Sequence, residues 1–256
     1  MTEGHDLSTG ARPAGIADES AIPAAVQQMF DTIAPRYDLL NHLLSGGMDW
    51  LWWRRAARTF HAVLAEPHAV ALDLCCGTGD MTLALDAHRA KSPETAPILA
   101  VDFSREMLAR GAQKFAGRNI LPIEADALHL PIASGSIDLV TSAFGFRNLA
   151  SYEDGLAELY RVLRPSGHIG ILECNQPDGP AGALYSVYFK HVLPKLGGLI
   201  SGSASAYRYL PASVERFPRP PRMLQMLAAA GFSGGAWISY TFGVAGLYTA
   251  QKPQSA

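Results

Sequence analysis

Asp73-Leu-Cys-Cys-Gly77-Thr78-Gly79-Asp80 sets two glycines between two acids. Such a turn, placed after a strand and before a helix, is where an open α/β sheet brings its backbone close to a nucleotide. Spacing and charge select which nucleotide. A dinucleotide fingerprint needs G-x-G-x-x-G so that pyrophosphate can reach a helix N-terminus. Here the third position is Thr82, and an acid, Asp73, stands four residues before Gly77. S-adenosylmethionine suits the turn better, because it has no phosphate and carries an α-ammonium and a sulfonium. Asp73 and Asp80 offer acceptors to that positive end while Gly77 and Gly79 admit its backbone. Asp102 closes a second apolar run and has the two acceptor oxygens that a pair of ribose hydroxyls needs. Asp126 closes a third and can accept from an adenine amino group, with the Ala127 N–H facing a ring nitrogen. Any one acid at a strand end can simply cap a helix or face solvent. Three of them at successive strand ends, around one glycine turn, form the set required by one adenosyl ligand in one crevice.

The elements that must position these residues follow from periodicity. Ala69–Cys75, Ile98–Val101, Asn119–Ala125, Ile137–Thr141 and His168–Cys174 are short apolar runs, as strands buried on both faces of a parallel sheet should be. Helical patterns separate them: one beginning near Met81, one capped by Ser104 with Met107, Leu108 and Phe115 inward, and Tyr152–Leu163 with Leu156, Leu159 and Tyr160 inward. Alternation of this kind predicts an α/β fold with a doubly wound, Rossmann-like parallel sheet. Residues 1–20 read as a flexible tail and 21–256 as one domain. Within it, 21–66 form a helical cap, 69–175 the cofactor-binding core, 176–221 an insertion placed as a substrate lid, and 222–252 a final helix and two strands.

Composition excludes several classes. At 256 residues with 48% hydrophobic and 17% charged side chains, the chain has ample material for a buried core. A formal charge of −2 and no run of Lys or Arg argue against nucleic acid as a partner. Cys75, Cys76 and Cys174 make neither a disulfide framework nor a spaced zinc site, so no metal is expected and a reducing cytoplasm fits. Met223 to Gln251 carries no charge, but Gly231, Gly234, Gly235, Gly243 and Gly246 interrupt it, which suits a helix and two strands better than a membrane span.

From about Met29 onward the chain resembles the C-methyltransferases of menaquinone and ubiquinone biosynthesis. The stretches that carry this are Met29-Phe-Asp-Thr-Ile-Ala-Pro-Arg-Tyr37-Asp38, Leu72 to Asp80, Phe144-Gly-Phe-Arg147-Asn148, Arg161-Val-Leu-Arg-Pro-Ser-Gly167 with Glu173, and Ala206-Tyr207-Arg-Tyr209-Leu-Pro-Ala-Ser213. The resemblance implies a class I fold, S-adenosylmethionine as methyl donor, and contacts to it from Thr78, Asp102, Asp126 and Ala127. The family's serine before Phe-Gly-x-Arg-Asn is Ala143 here, which leaves Ser142, one position earlier, as the candidate contact. The implied substrate is an isoprenoid quinol, a demethylmenaquinol first and a polyprenyl benzoquinol as the alternative.

Methylation of a quinol ring carbon needs near-attack positioning, exclusion of water and loss of a hydroxyl proton. Arg147 is the first candidate to hold phenolate charge, against a structural role paired with Asp38 or Glu173; Tyr207 and His191 are candidates to relay a proton. Leu184 to Ile200, rich in apolar and aromatic side chains, is placed as a groove for an isoprenoid tail, with peripheral contact to a membrane surface. A homo-oligomer is compatible with this composition. Two other classes compete: a nicotinamide-dependent oxidoreductase, opposed by Thr82, and a non-catalytic adenosyl-ligand binding protein.

Overall fold

The structure, a computed structural model, describes residues 10–13, 18, 21–36, 38, 42, 45–177 and 204–254. Helices α1 (Ile22–Ile33) and α2 (Met48–Thr59) precede the sheet, with a single further turn at His61–Leu64. Strands β1 (Ala71–Leu74), β2 (Ile98–Asp102), β3 (Ile120–Glu124), β4 (Ile137–Ala143) and β5 (Leu163–Cys174) follow, with α3 (Asp80–Asp86) after β1, α4 (Arg105–Lys114) after β2 and α5 (Tyr152–Val162) after β4, while β3 leads to β4 without a helix. Helices α6 (Ala204–Arg216) and α7 (Pro220–Ala229) lead to β6 (Ser233–Tyr240) and β7 (Ala245–Gln251). The helix starts obey local chemistry: the side chain of Ser104 accepts the Met107 N–H and that of Ser151 accepts the Asp154 N–H. Among the described residues no helix is long and apolar enough to cross a membrane.

One sheet carries all seven strands in the order β3-β2-β1-β4-β5-β7-β6. The first five are parallel, as the apolar runs predict. The last strand, β7, runs antiparallel to both β5 and β6. The physical reason is the link: Thr241 to Val244 is far too short for the crossover that parallel neighbours require. Order reverses at β1 and β4, so the crevice beyond their carboxyl ends is the switch point where ligands bind in such sheets. Ala11 is buried, its N–H donates to the Leu149 carbonyl at 2.7 Å, and a Cβ on Gly10 would strike the Ala150 carbonyl.

Candidate active site

The glycine turn is held from below by two acids. Asp73 is fully buried on β1; its Oδ2 accepts the Thr82 hydroxyl at 2.6 Å and its Oδ1 the Thr141 hydroxyl at 2.9 Å. Thr141 is its register partner on β4, so the bond runs across the ladder. Burial pushes the Asp73 carboxyl up to about 7, against the lowering effect of both hydroxyls. Asp102, at the end of β2, accepts the Gly77 N–H at 2.8 Å and the Ser104 N–H at 2.9 Å. Burial raises it to about 6, again against those N–H bonds. Above these acids the chain takes left-handed backbone at Cys75, Gly77 and Gly79. Glycine is required at Gly79, where a Cβ would sit 2.3 Å from the Phe115 ring.

Two cavities meet at this turn. The larger, of about 740 Å³, is bounded by Gly77, Asp102, Phe103, Met107, Asp126 and Ala127, with Phe144, Gly145 and Asn148 on the far wall. The smaller, of about 360 Å³, is bounded by Trp53, Asp73, Thr78, Asp80, Ala143 and Phe144. Among the described lining residues, the charged side chains are Asp102 and Asp126 in the first and Asp73 and Asp80 in the second. An all-acid lining repels pyrophosphate and attracts a cation. The Phe103, Met107 and Leu128 side chains offer an apolar slot for a flat ring beside the Asp102 carboxylate. The residues present therefore fit S-adenosylmethionine and oppose a nicotinamide dinucleotide.

Sequence reasoning missed how the segment after α1 is fastened over this turn. Lys114, at the end of α4, bridges Asp38 at 2.7 Å and Asp80 at 2.9 Å, and the Thr78 hydroxyl donates to Asp38. Burial raises Asp38, but the Lys114 and Thr78 bonds outweigh it and hold the carboxyl below its usual range. Burial also raises Asp80, against the lowering effect of Lys114. On the other side, Gln27 of α1 donates to the Phe103 carbonyl at 2.7 Å, and Ser104 donates to Asp31. Thr78 thus faces the ligand crevice while tied to the cap.

The predicted catalytic residues are placed unequally. Arg147 follows β4 on a short turn, and its guanidinium is buried and paired with Glu173 at 2.7 Å. Its own N–H also meets Glu173, and its carbonyl accepts from the Tyr152 hydroxyl. Of the two roles weighed from sequence, the geometry shows the ion pair. Asn148 is the neighbour that lines the larger cavity, and the Tyr209 hydroxyl donates to its Oδ1 at 3.1 Å. Tyr207 is helical within α6, with its side chain outside the described residues; His191 and the Leu184–Ile200 groove lie outside them altogether. Ser142 borders neither of these two cavities, and its buried hydroxyl has no hydrogen-bond partner among the described residues; Ala143, pointing to the opposite face of β4, borders the smaller one.

Comparison with known proteins gives the family and the fold. The sequence pattern of the ubiE/COQ5 methyltransferase family matches residues 17–252. A demethylmenaquinone methyltransferase of Thermus thermophilus is 50% identical over 88% of this chain and 100% of its own length. One from Deinococcus radiodurans is 46% identical over 93% of this chain and 96% of its own. Among solved structures, a methyltransferase of Thermotoga maritima described as dependent on S-adenosylmethionine superposes with a TM-score of 0.61 at 15% identity, covering 89% of this chain and 99% of its own. At that identity the likeness speaks for the fold.

Proposed function

The chain belongs to the ubiE/COQ5 methyltransferase family, and from that premise we propose that it methylates a ring carbon of a polyprenyl demethylmenaquinol, giving menaquinol. The observation that carries this reading is the 50% identity along the whole length of the Thermus demethylmenaquinone methyltransferase. S-adenosylmethionine, when bound, supplies an electrophilic methyl group. Asp102 and Asp126, with the Ala127 backbone, would hold its adenosine in the larger cavity. Thr78, Asp80 and the Gly77–Gly79 turn would hold its charged end, with Asp73 fixing that turn from beneath.

The chain's remaining task is to present an electron-rich ring. A quinone is electron-poor, whereas a quinol that sheds a hydroxyl proton pushes density onto the neighbouring carbon. Asn148, oriented by Tyr209, supplies a polar contact for the ring hydroxyl in the larger cavity. Arg147, locked to Glu173, fixes the backbone that carries Asn148, with Tyr207 and His191 as the groups proposed to relay the proton. We place the activity in the cytoplasm with peripheral contact at a membrane surface, because an isoprenoid chain partitions into the bilayer.

The test is transfer of labelled methyl from S-adenosylmethionine to a short-chain demethylmenaquinone, with and without chemical reduction. Product in the reduced sample alone is expected. Product from a benzoquinol only would move the substrate class to the ubiquinone precursor. Tight S-adenosylhomocysteine binding with no product from either ring would leave a non-catalytic binding protein.

A further inference from the structure

We propose that the outward face of α2 and the tip of the β6–β7 turn together form a docking surface for an anionic lipid bilayer. The inference deepens the quinol reading above, on which it rests, by naming the surface through which the chain would meet its lipid substrate.

The first observation is the way an aromatic side chain is held in water. Phe242 is 88% exposed, and it sits on two successive residues with positive φ, Thr241 at 45° and Phe242 at 55°. This backbone region is unfavourable for β-branched and aromatic residues, and here no burial of the ring offsets it. The turn is nevertheless fixed to α2. The Trp52 indole donates to the Thr241 hydroxyl at 2.8 Å, and the Arg55 guanidinium lies 5.1 Å over the Tyr240 ring.

The second observation is what α2 turns outward beside that tip. Trp50 is 56% exposed and Leu51 38% exposed, and Arg54, Arg55 and Arg58 are exposed with them. The one acid of this helix, Asp49, is buried. A chain with a net charge of −2 therefore carries a local face of aromatic and cationic side chains. Tryptophan and phenylalanine at the depth of lipid headgroups, with arginines reaching anionic phosphates, are the components of an interfacial helix. A second copy of this chain fits the face poorly, since a two-fold contact would set arginines against arginines.

The third observation is position. The inner side of the same helix walls the candidate site: the Trp52 ring packs on Phe144 at 5.9 Å, Phe144 borders both cavities, and Trp53 borders the smaller one. A quinol whose head lies against Phe144 would thus have the bilayer about one helix width away, roughly 10 Å.

The experiment is flotation of the full chain, without substrate, on phosphatidylglycerol vesicles and on phosphatidylcholine vesicles. The wild type should float with the anionic vesicles and release with salt. A Trp50→Ser/Phe242→Ser variant and an Arg54→Gln/Arg58→Gln variant should each bind them roughly tenfold more weakly or worse. Both variants should methylate a short-chain, water-soluble quinol at the wild-type rate while losing turnover of a long-chain quinol presented in vesicles. A wild type that floats with neither vesicle would overturn the proposal. So would unchanged flotation in both variants, or sedimentation showing a dimer that the Trp50→Ser/Phe242→Ser variant abolishes. Flotation is read without turnover, so a chain that floats but methylates no quinol would count against the substrate reading alone.

Discussion

Arg147 and Glu173 form a buried ion pair between the turn after β4 and the end of β5, with Nη1 2.7 Å from Oε2 and side chains 8% and 0% exposed. Glu173 Oε1 accepts the Arg147 N–H as well, so one carboxylate holds both ends of the residue. Removing one member of such a pair leaves an uncompensated charge and costs about 3–5 kcal/mol. Glu173→Ala should lower the urea midpoint accordingly, and the Arg147→Ala/Glu173→Ala double variant should be less destabilised than the two single losses added together. Strictly additive losses would mean that the charges act separately, and would return Arg147 to the task of holding substrate charge.

Asp102 serves the fold and the ligand at once. Its oxygens accept the Gly77 and Ser104 N–H groups, and it borders the larger cavity. A hydrogen bond to a charged group is worth about 1.5–3 kcal/mol, so Asp102→Asn should weaken S-adenosylhomocysteine binding by roughly one to two orders of magnitude in calorimetry. Burial has raised this carboxyl to about 6. Wild-type affinity should therefore fall as pH drops through about 6, and the Asn variant should lack that fall. The same pH dependence in both proteins would place the titrating group elsewhere.

Much of this site is legible in sequence because the parallel strands read as apolar runs, the partly exposed edge strand β3 included, and the acids that close them mark the crevice. Asp102 and Asp126 are found that way, and the structure brings both to one cavity. Asp73 is legible as an acid in the turn but not as a group held by Thr141, since that contact depends on the pairing register of β1 with β4. The Lys114 bridge spans 76 residues to Asp38 and carries no periodic signal. The reversal of β7 was readable in principle: Thr241 to Val244 cannot make a crossover, a constraint that alternation of apolar runs does not weigh.

Lys114 joins the segment after α1 to the glycine turn through Asp38 and Asp80. The groups are partly exposed, so solvent screening keeps the stability effect small, about 1 kcal/mol or less for Lys114→Met. The larger effect should fall on ligand binding, because Thr78 and Asp80 lose their common anchor. We expect S-adenosylhomocysteine affinity to drop roughly tenfold while the melting temperature moves by only a few degrees. A large melting shift with unchanged affinity would make the bridge a structural tie alone.

Asp73 should leave a signature in the pH dependence of stability. Its folded-state carboxyl stands at about 7, raised from 3.8 by burial, and the nearby Asp102 charge adds to the rise. Between those values the folded chain keeps a proton that the unfolded chain has released, so this group's contribution to stability falls as pH rises through the window. In Asp73→Asn the site cannot ionise, and that fall disappears. Subtracting wild-type from variant melting temperatures should give a difference that climbs from about pH 4 to about pH 7 and then levels off. Asp73→Ala is the control for packing: it too lacks the titration, but it strips an acceptor from the buried Thr82 and Thr141 hydroxyls and should lie about 1–3 kcal/mol below Asp73→Asn at every pH. A flat difference between wild type and Asp73→Asn would show that this carboxyl titrates alike in the folded and unfolded chain, and that its two threonine bonds fully offset its burial.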